Sequence, residues 1–298
     1  MEPTAAQPGT GTTAVAVVDS HLHLWDPARF DYPWHATAPP LRRSYLPADL
    51  DIATADLDRA GFRLDAVVFV EAGRIDGHAV AEIDWVSGLA ADWPLLRAMV
   101  AHVSLERGTD VADHVAALRR HPLVTGVRRN IQDEPAGFGL DDDFVAGVRL
   151  LADAGLTFDL CVRHHQLAEA TALAARVPQV TFVLDHLGKP PVADGGTHPW
   201  RADLARLADL PNVFCKLSGL ATESPAGWVA ADLLPYLRHA LATFGPQRCL
   251  FGGDWPVATL ATDYRRWLHL VSDACAQLPP AGQAAVFGDT ARRVYRIT

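Results

Sequence analysis

Eight short apolar segments recur along the chain, and each is followed by a stretch in which apolar residues have helical spacing. Valine, leucine, phenylalanine and cysteine dominate these segments, which is typical of buried strands. The predicted strands cover residues 14–19, 65–70, 96–103, 124–128, 157–161, 180–184, 213–217 and 248–251. Eight strand–helix repeats predict a single-domain α/β fold, a (β/α)8 barrel of the TIM type over residues 14–298.

The stretches between these strands carry signals for helix ends, such as acidic residues at 141–143 and a glycine at position 155. The predicted helices cover residues 47–60, 77–93, 109–120, 141–155, 166–176, 200–209, 225–244, 262–277 and 282–295. A doubly wound open sheet is the alternative fold for the same elements. It favours a glycine-rich phosphate-binding turn after an early strand, whereas the first strand here leads into His21-Leu-His23.

The longest irregular segment near the start of the chain covers residues 25–46. A loop of this length in a compact domain is usually functional or disordered. Its aromatic content instead predicts an ordered flap over the mouth of the barrel. The ring-bearing residues in it are Trp25, Phe30, Tyr32, Trp34, His35 and Tyr45.

Charge and hydropathy exclude several classes of protein. The 298 residues carry a formal net charge of −9, and this acidic surplus does not suit binding to nucleic acid or to anionic lipid. The mean hydropathy is only +0.07, and no apolar run approaches the ~18 residues that a membrane-spanning helix needs. Charge and hydropathy leave open whether the protein is a monomer or a homodimer.

The cysteines and the first 13 residues indicate the cellular compartment. The chain has four cysteines without a Cys-x-x-Cys pair, which predicts reduced, buried thiols in a cytoplasmic enzyme. Residues 1–13 are rich in proline, glycine, threonine and alanine and lack the pattern of a secretory signal. They are expected to form a flexible N-terminal tail.

Four residues at predicted strand ends carry the chemistry. His21 and His23 are two positions apart, so their side chains point to the same side of a strand, and two imidazoles at this spacing can bind one Zn²⁺ ion. His186 follows the sixth strand and Asp254 the eighth. Each has an ordinary structural interpretation alone, such as a helix cap for Asp254. Together they meet at the end of the barrel where active sites form.

Several motifs extend this pattern along most of the chain. They occupy residues 18–26, 126–135, 159–163, 184–190, 213–220 and 251–256. In these motifs the chain resembles the amidohydrolase superfamily, and within it the sugar lactonase branch that contains L-fuconolactonase and L-rhamnonolactonase. The resemblance runs from about residue 15 to residue 295, and it implies a (β/α)8 barrel that hydrolyses lactones.

The resemblance also implies roles for individual residues. Asp254 would activate the attacking water, and Arg128 would polarise the lactone carbonyl, with His21, His23 and His186 completing the catalytic site. The implied substrate contacts are Arg128, Trp25, Trp34, His164 and Lys216. For Lys216 the alternative is a structural pairing with a neighbouring carboxylate, and the roles of His165 and Ser218 stay open.

A divalent metal ion is the cofactor that these residues suggest. His21, His23, His186 and Asp254 are the expected ligands, with zinc as the first choice and manganese as the second. The predicted fourth strand lacks the lysine or glutamate that bridges two metals in binuclear amidohydrolases, so at most one ion is expected. In the metal-free alternative the histidines and Arg128 would stabilise the oxyanion themselves.

The expected reaction is hydrolysis of a sugar-acid lactone, L-fuconolactone or a related aldonolactone. Arg128 and Arg129 would point to opposite sides of a continuing strand, so one arginine would face the substrate, which favours a neutral sugar lactone over a dicarboxylate. Two alternatives remain. One is metal-dependent decarboxylation of an unsaturated or aromatic acid on the same barrel, and the other is a non-catalytic sugar-binding barrel.

Overall fold

Eight parallel strands form one sheet in sequence order in a computed structural model that describes residues 14–298. The strands are β1 (Val15–Leu22), β2 (Phe62–Val70), β3 (Leu96–His102), β4 (Val124–Arg128), β5 (Thr157–Leu160), β6 (Phe182–Leu184), β7 (Val213–Leu217) and β8 (Cys249–Phe251). The sheet closes on itself, because Ser20 Oγ donates to the Phe251 carbonyl at 2.6 Å and a parallel bridge joins Leu22 to Trp255. The predicted (β/α)8 barrel is confirmed.

Ten α-helices occur among the described residues, and one or more follows each strand. They are α1 (Pro47–Thr54), α2 (Ala79–Leu89), α3 (Ala112–Arg119), α4 (Asp142–Ala154), α5 (Leu167–Arg176), α6 (Trp200–Ala208), α7 (Ala230–Phe244), α8 (Tyr264–Cys275), α9 (Pro280–Ala284) and α10 (Thr290–Val294). The predicted last helix is therefore two helices joined by a π turn at Ala285–Asp289. The predicted first helix ends early, at Thr54.

Local sequence explains where these elements end. Asp141 caps α4 by accepting a hydrogen bond from the Asp143 amide at 3.0 Å, and Gly155 ends the helix in the left-handed conformation at φ 65°. β1 is longer than predicted and continues through His21 to Leu22, with both of its faces buried from Val17 onward. This burial is expected for a barrel strand, since helices cover the outer face and side chains fill the inside.

The segment after β1 packs through its aromatic rings. Trp25 is fully buried and forms an antiparallel bridge with Tyr45, through backbone hydrogen bonds of 3.2 and 2.9 Å. The Trp25 ring makes edge contacts with those of Trp34 and Tyr45, with centroids 5.0 Å apart in both pairs. Aromatic packing therefore holds Trp25, Trp34 and Tyr45 together, and the predicted flap over the barrel mouth stays a prediction.

The remaining expectations concern the tail, membranes and cysteines. Residues 1–13, the predicted flexible tail, lie outside the described residues, and the division into tail and barrel domain stays a prediction. Within residues 14–298 no helix combines the length and the apolarity that crossing a bilayer requires. Cys161, Cys215, Cys249 and Cys275 are buried free thiols.

Candidate active site

A cavity of about 710 Å³ opens at the ends of the strands where the chain leaves the barrel. Its lining includes His23, Trp25, Trp34, Arg128, His186 and Asp254. His21 lies beneath this surface and is fully buried. The structure thus brings all four residues that were predicted as metal ligands to one place.

Three imidazoles surround the carboxylate of Asp254. Its Oδ1 lies 3.7 Å from His21 Nε2, 3.6 Å from His23 Nε2 and 4.0 Å from His186 Nε2. The Nε2 atoms of His21 and His23 are 3.1 Å apart. Side chains from β1 and from the segments after β6 and β8 therefore converge on a single point, although Asp254 is more than 230 residues from His21.

Two glycines make room for the backbone turn that presents Asp254. The residue has φ 52°, in the left-handed region, and its amide donates to the His21 carbonyl at 2.8 Å. Gly252 and Gly253 precede it, and a Cβ at Gly252 would lie 2.8 Å from the Cβ of His21. Asp19 secures this turn, since Oδ1 accepts from the amides of both His21 and Gly253. Burial raises the pKa of Asp19 to about 6 against these hydrogen bonds.

A second left-handed segment presents His186. Four successive residues have positive φ, from 48° to 69°, and only one of them is a glycine. They are His186, Leu187, Gly188 and Lys189. Non-glycine residues in this region are strained, and such strain is concentrated at functional sites. Gly219 makes room for the ring, because a Cβ there would lie 2.3 Å from His186 Nδ1.

Hydrogen bonds at the outer nitrogens orient the imidazoles. His23 Nδ1 lies 2.8 Å from the Val70 carbonyl, which can only accept, so Nδ1 is the donor and Nε2 points inward towards the other imidazoles. His186 Nδ1 lies 2.9 Å from Ser218 Oγ. Partners of this kind fix the tautomer of metal-binding histidines and aim their free nitrogen at the ion.

His21 has partners for either tautomer. Its Nδ1 lies 3.1 Å from the Lys216 ammonium, which can only donate, and 3.2 Å from Asp185 Oδ1, which can only accept when ionised. With Lys216 as donor, His21 Nε2 carries the proton and donates to His23, which gives a metal-free hydrogen-bonded chain. With Asp185 as acceptor, His21 Nε2 is free to bind an ion.

The donor set fits one divalent cation. One ligand atom each from His21, His186 and Asp254 lies within 4.8 Å of the others, and His23 lies close to two of the three. Imidazole nitrogens with a carboxylate oxygen are ligands that suit Zn²⁺. Burial lowers the pKa of His186 to about 4 and that of His21 well below its ordinary value, so both rings are neutral, as ligands must be.

The charges beneath the site also favour a cation. Asp159, Asp185 and Asp254 are buried near His21, and Lys216 and Arg128 contact these carboxylates. Arg128 is also paired with the buried Glu71, so four carboxylates and two cations leave an excess of two negative charges. A divalent ion would neutralise this excess, and unpaired charge is costly in a dry interior.

Arg128 is held at the mouth by Glu71. Its Nε donates to Glu71 Oε1 at 2.7 Å, Nη2 donates to the Glu71 carbonyl at 2.6 Å, and Nη1 lies 3.4 Å from Asp185 Oδ2. Burial alone would lower the pKa of Arg128, but Glu71 and Asp185 raise it above its ordinary value. The guanidinium is therefore a fixed cation in the cavity wall.

The predicted substrate contacts divide into two groups. Trp25, Trp34 and Arg128 line the cavity, whereas His164 and Lys216 are not among the described residues that line it. His164 Nδ1 lies 3.1 Å from the Lys189 carbonyl. Lys216 is fully buried and bonds Asp159, which is the structural pairing named as its alternative.

The expectation that one arginine of the fourth strand faces the cavity is wrong. Arg129 also lines it, because β4 ends at Arg128 and the alternation of sides ends with the strand. Glu106 and Glu134 accept hydrogen bonds from the Arg129 guanidinium, at 3.1 and 2.6 Å, so its charge is already paired.

Sequence reasoning also missed Glu71, which follows β2 directly. The signal was the same as for the histidines, a polar residue at the end of an apolar strand. Its partner Arg128 is 57 positions away, however, and nothing in the local sequence connects the two. Asp185 and Gln132 lay within the quoted motifs without an assigned role.

The free energy of unfolding is expected to depend on the protonation of another buried histidine, His102 on β3. Burial lowers its pKa from 6.5 to about 4, so its stabilising contribution is complete above pH 6.5 and is lost as the pH falls towards 4. In this range the wild-type unfolding free energy should change more steeply with pH than that of His102→Asn, by up to about 1.4 kcal/mol per pH unit. Urea denaturation in chelator measures both slopes.

The exposed His269 on α8 supplies a matched control. The same substitution there, His269→Asn, should give a profile parallel to that of the wild type. Parallel profiles for wild type and His102→Asn would contradict the assigned pKa.

The chain is similar to several known proteins in sequence and in structure. The chain matches the family described as amidohydrolase over residues 18–297. It is 37% identical to an L-fucono-1,5-lactonase of Burkholderia multivorans, over 94% of this chain and 96% of that protein. It is 33% identical to an L-fucono-1,5-lactonase of Burkholderia ambifaria, over 94% and 95%. It also superposes on a crystal structure of a Burkholderia multivorans amidohydrolase with bound zinc, with TM-score 0.84, 37% identity and coverage of 95% and 100%.

Proposed function

This chain belongs to the amidohydrolase family, and we propose that it hydrolyses a sugar-acid lactone, L-fuconolactone or a related aldonolactone, to the open-chain aldonic acid. The two lactonases to which it is similar support a hydrolase that acts on a cyclic ester. One observation carries the proposal: the Asp254 carboxylate lies within 4.0 Å of three imidazoles in a cavity that also contains the fixed guanidinium of Arg128.

Asp254 is the base in this proposal. Burial alone would raise its pKa, but the surrounding histidines hold it below the ordinary value, so the carboxylate is ionised at neutral pH. It takes a proton from the water whose oxygen bonds to the lactone carbonyl carbon. When the bond from that carbon to the ring oxygen breaks, Asp254 returns the proton to the leaving oxygen.

Arg128 acts on the carbonyl oxygen. Glu71 occupies its Nε and Nη2, while Nη1 has only the longer 3.4 Å contact with Asp185. A charged donor held in place before the reaction stabilises the negative charge that develops on the oxygen of the tetrahedral intermediate. Nη1 therefore has the polarising role in this proposal.

His21, His23, His186 and Asp254 would hold a single divalent ion, zinc or manganese. Bound there, the ion would supply Lewis-acid activation of the attacking water at neutral pH. The histidines would hold the ion through their inward ring nitrogens, and contacts with Val70, Ser218 and Asp185 orient the three rings from behind.

The same proposal extends to partners and compartment. A small neutral lactone suits the cavity, and the net charge of −9 does not suit nucleic acid or an anionic membrane surface. The buried free thiols are those of an enzyme in a reducing compartment, so a cytoplasmic location is proposed.

Proton release in a weakly buffered indicator solution tests the reaction. The panel contains L-fucono-, L-rhamnono-, L-galactono- and D-arabinonolactone, with a dicarboxylate lactone as control, and spontaneous hydrolysis is subtracted. We expect rapid opening of a sugar lactone, loss of activity on chelation and recovery with Zn²⁺ or Mn²⁺. Activity that persists after verified metal removal would support the metal-free alternative. No activity on any lactone, together with CO₂ release from an aromatic acid, would replace the proposal by the decarboxylase alternative.

A further inference from the structure

The last residues of the chain cross the end of the barrel at which the strands begin, opposite the mouth. Arg296 donates to the Gly155 carbonyl just before β5 at 2.6 Å and to the Thr125 carbonyl in β4 at 3.4 Å. The preceding residue, Tyr295, is fully buried. It packs in one cluster with strand residues that include Val18, Val68, Val183 and Leu250.

Two charged side chains of the strands share the interior with Tyr295. Asp159 on β5 is the register partner of Val183, and Lys216 on β7 is the register partner of Leu250. Register partners on adjacent strands point to the same side of a sheet. Asp159 and Lys216 therefore lie on the face of the barrel against which Tyr295 packs.

The Tyr295 hydroxyl contacts Asp159 directly. It lies 3.0 Å from Oδ1 and 2.9 Å from Oδ2. Burial, together with the nearby carboxylates of Asp159 and Asp185, raises the pKa of Tyr295 well above its ordinary value, so the hydroxyl is neutral and donates. Within residues 14–298, Tyr295 and Lys216 are the two hydrogen-bond partners of Asp159.

Lys216 lies between Asp159 and the imidazole of His21. Its ammonium bonds Asp159 and is 3.1 Å from His21 Nδ1. Asp185 Oδ1 is buried and accepts no aligned hydrogen bond from the described residues, although His21 Nδ1 lies 3.2 Å away. This oxygen can accept a proton carried on Nδ1, in the tautomer that leaves His21 Nε2 free for an ion. Lys216 opposes that tautomer when it donates to Nδ1.

The hydroxyl also helps to keep Asp159 ionised. Burial raises the pKa of Asp159 to about 6, although the hydrogen bonds from Lys216 and Tyr295 act in the opposite direction. Without the hydroxyl the pKa would rise further, and more of the carboxyl would be protonated at neutral pH. A neutral Asp159 attracts the ammonium less strongly and removes one of the negative charges that favour a divalent ion.

Building on the metal-dependent form of the proposed function, we propose that Tyr295 is a positioning residue of the metal site. It holds the carboxylate of Asp159 in place, Asp159 draws Lys216 away from His21, and His21 Nε2 is left free for the ion. Loss of residues that support metal ligands lowers metal affinity by about tenfold to a hundredfold. Because Tyr295 acts through two other side chains, the lower end of this range is expected.

Tyr295→Phe tests the inference. It removes the hydroxyl and keeps the ring, whose centroid lies 5.5 Å from the Lys216 ammonium. Competition with a chromophoric chelator at neutral pH should show a zinc Kd about tenfold higher than that of the wild type. NMR of the imidazole nitrogens in metal-free protein should show a larger fraction of His21 with its proton on Nε2. The His21 signal is assigned by its loss in His21→Gln.

Tyr236→Phe is the matched control. The hydroxyl of this buried tyrosine on α7 donates to the Gly196 carbonyl at 3.2 Å, and Tyr236 is not among the described residues that line the cavity. Urea denaturation of the metal-free variants compares their losses of stability, and the zinc Kd of Tyr236→Phe should equal that of the wild type. An equal rise of Kd in both variants would assign the effect to lost stability and overturn the inference.

A double-mutant cycle tests whether Tyr295 acts through Asp159. Asp159→Asn alone should weaken zinc binding, and adding Tyr295→Phe should weaken it no further. Additive effects, or an unchanged zinc Kd or tautomer in Tyr295→Phe, would overturn the inference. Absence of zinc binding in the wild type would overturn it as well, while lactone hydrolysis would still support the proposed function. The expected zinc affinities without hydrolysis of any lactone would overturn the proposed function alone.

Discussion

Replacing Asp254 by asparagine is expected to lower kcat for lactone hydrolysis by about a thousandfold, because the variant has no carboxylate to accept the proton of the attacking water. The amide has nearly the same shape, and the backbone hydrogen bond from residue 254 to the His21 carbonyl does not depend on the side chain. The fold should therefore remain, and initial rates with the preferred lactone measure the effect.

Asp254 is also an expected metal ligand, so the experiment must separate two causes of lost activity. Metal content and kcat are measured together over a range of added zinc. If Asp254 is the base, Asp254→Asn stays inactive when it is fully loaded with zinc. If it only holds the ion, activity returns as the site fills, and the proposed mechanism would then be wrong.

A capping aspartate provides the control for the same substitution. Asp263 accepts a hydrogen bond from the Arg266 amide at the start of α8, and asparagine caps helices about as well as aspartate does. Asp263→Asn should retain nearly full activity. Loss of activity in this control would show that the effect of Asp254→Asn is not specific to the site.

The sequence was most informative where a short strand lies between turn-forming residues. The predicted bounds of β4 and β7, residues 124–128 and 213–217, agree with the structure, and a proline lies just before each strand, at Pro122 and Pro211. β1 was predicted to end at Asp19 because polar residues interrupt its pattern. In the structure those polar side chains are buried by the site that they form, and burial of this kind depends on strands far away in sequence.

The sequence also predicted the central residues of the site better than it predicted the residues that orient them. A histidine pair at the end of one strand, together with His186 and Asp254 at the ends of two others, indicates a site, so His21 and His23 were found. Their orientation depends on Asp185 and on the Val70 carbonyl, which reach them only in the closed barrel. Contacts between residues that are far apart in the sequence leave no periodic or spacing signal, so the local sequence could not predict them.

Lys216→Met is expected to lower the free energy of unfolding by about 3–5 kcal/mol, because it leaves buried carboxylates without their counter-charge. The ammonium bonds Asp159 and lies 3.0 Å from Asp185 Oδ1, and all three side chains are fully buried. Burial alone would lower the pKa of Lys216, but the two carboxylates raise it, so the lysine is charged in the folded protein. Urea denaturation of the chelated protein measures the loss.

A second substitution distinguishes charge from packing as the cause. Asp159→Asn in the Lys216→Met background removes one uncompensated charge and should restore at least about 1 kcal/mol, whereas a packing defect would not respond in this way.

Lys189→Met is the matched control, since that half-buried lysine donates to the neutral Gln132, and a loss below about 1 kcal/mol is expected. Equal losses in the two lysine variants would show that the buried charges beneath His21 are not what makes Lys216 important. The metal-free site would then be stable without its ammonium, and the excess of negative charge would no longer argue for a divalent ion.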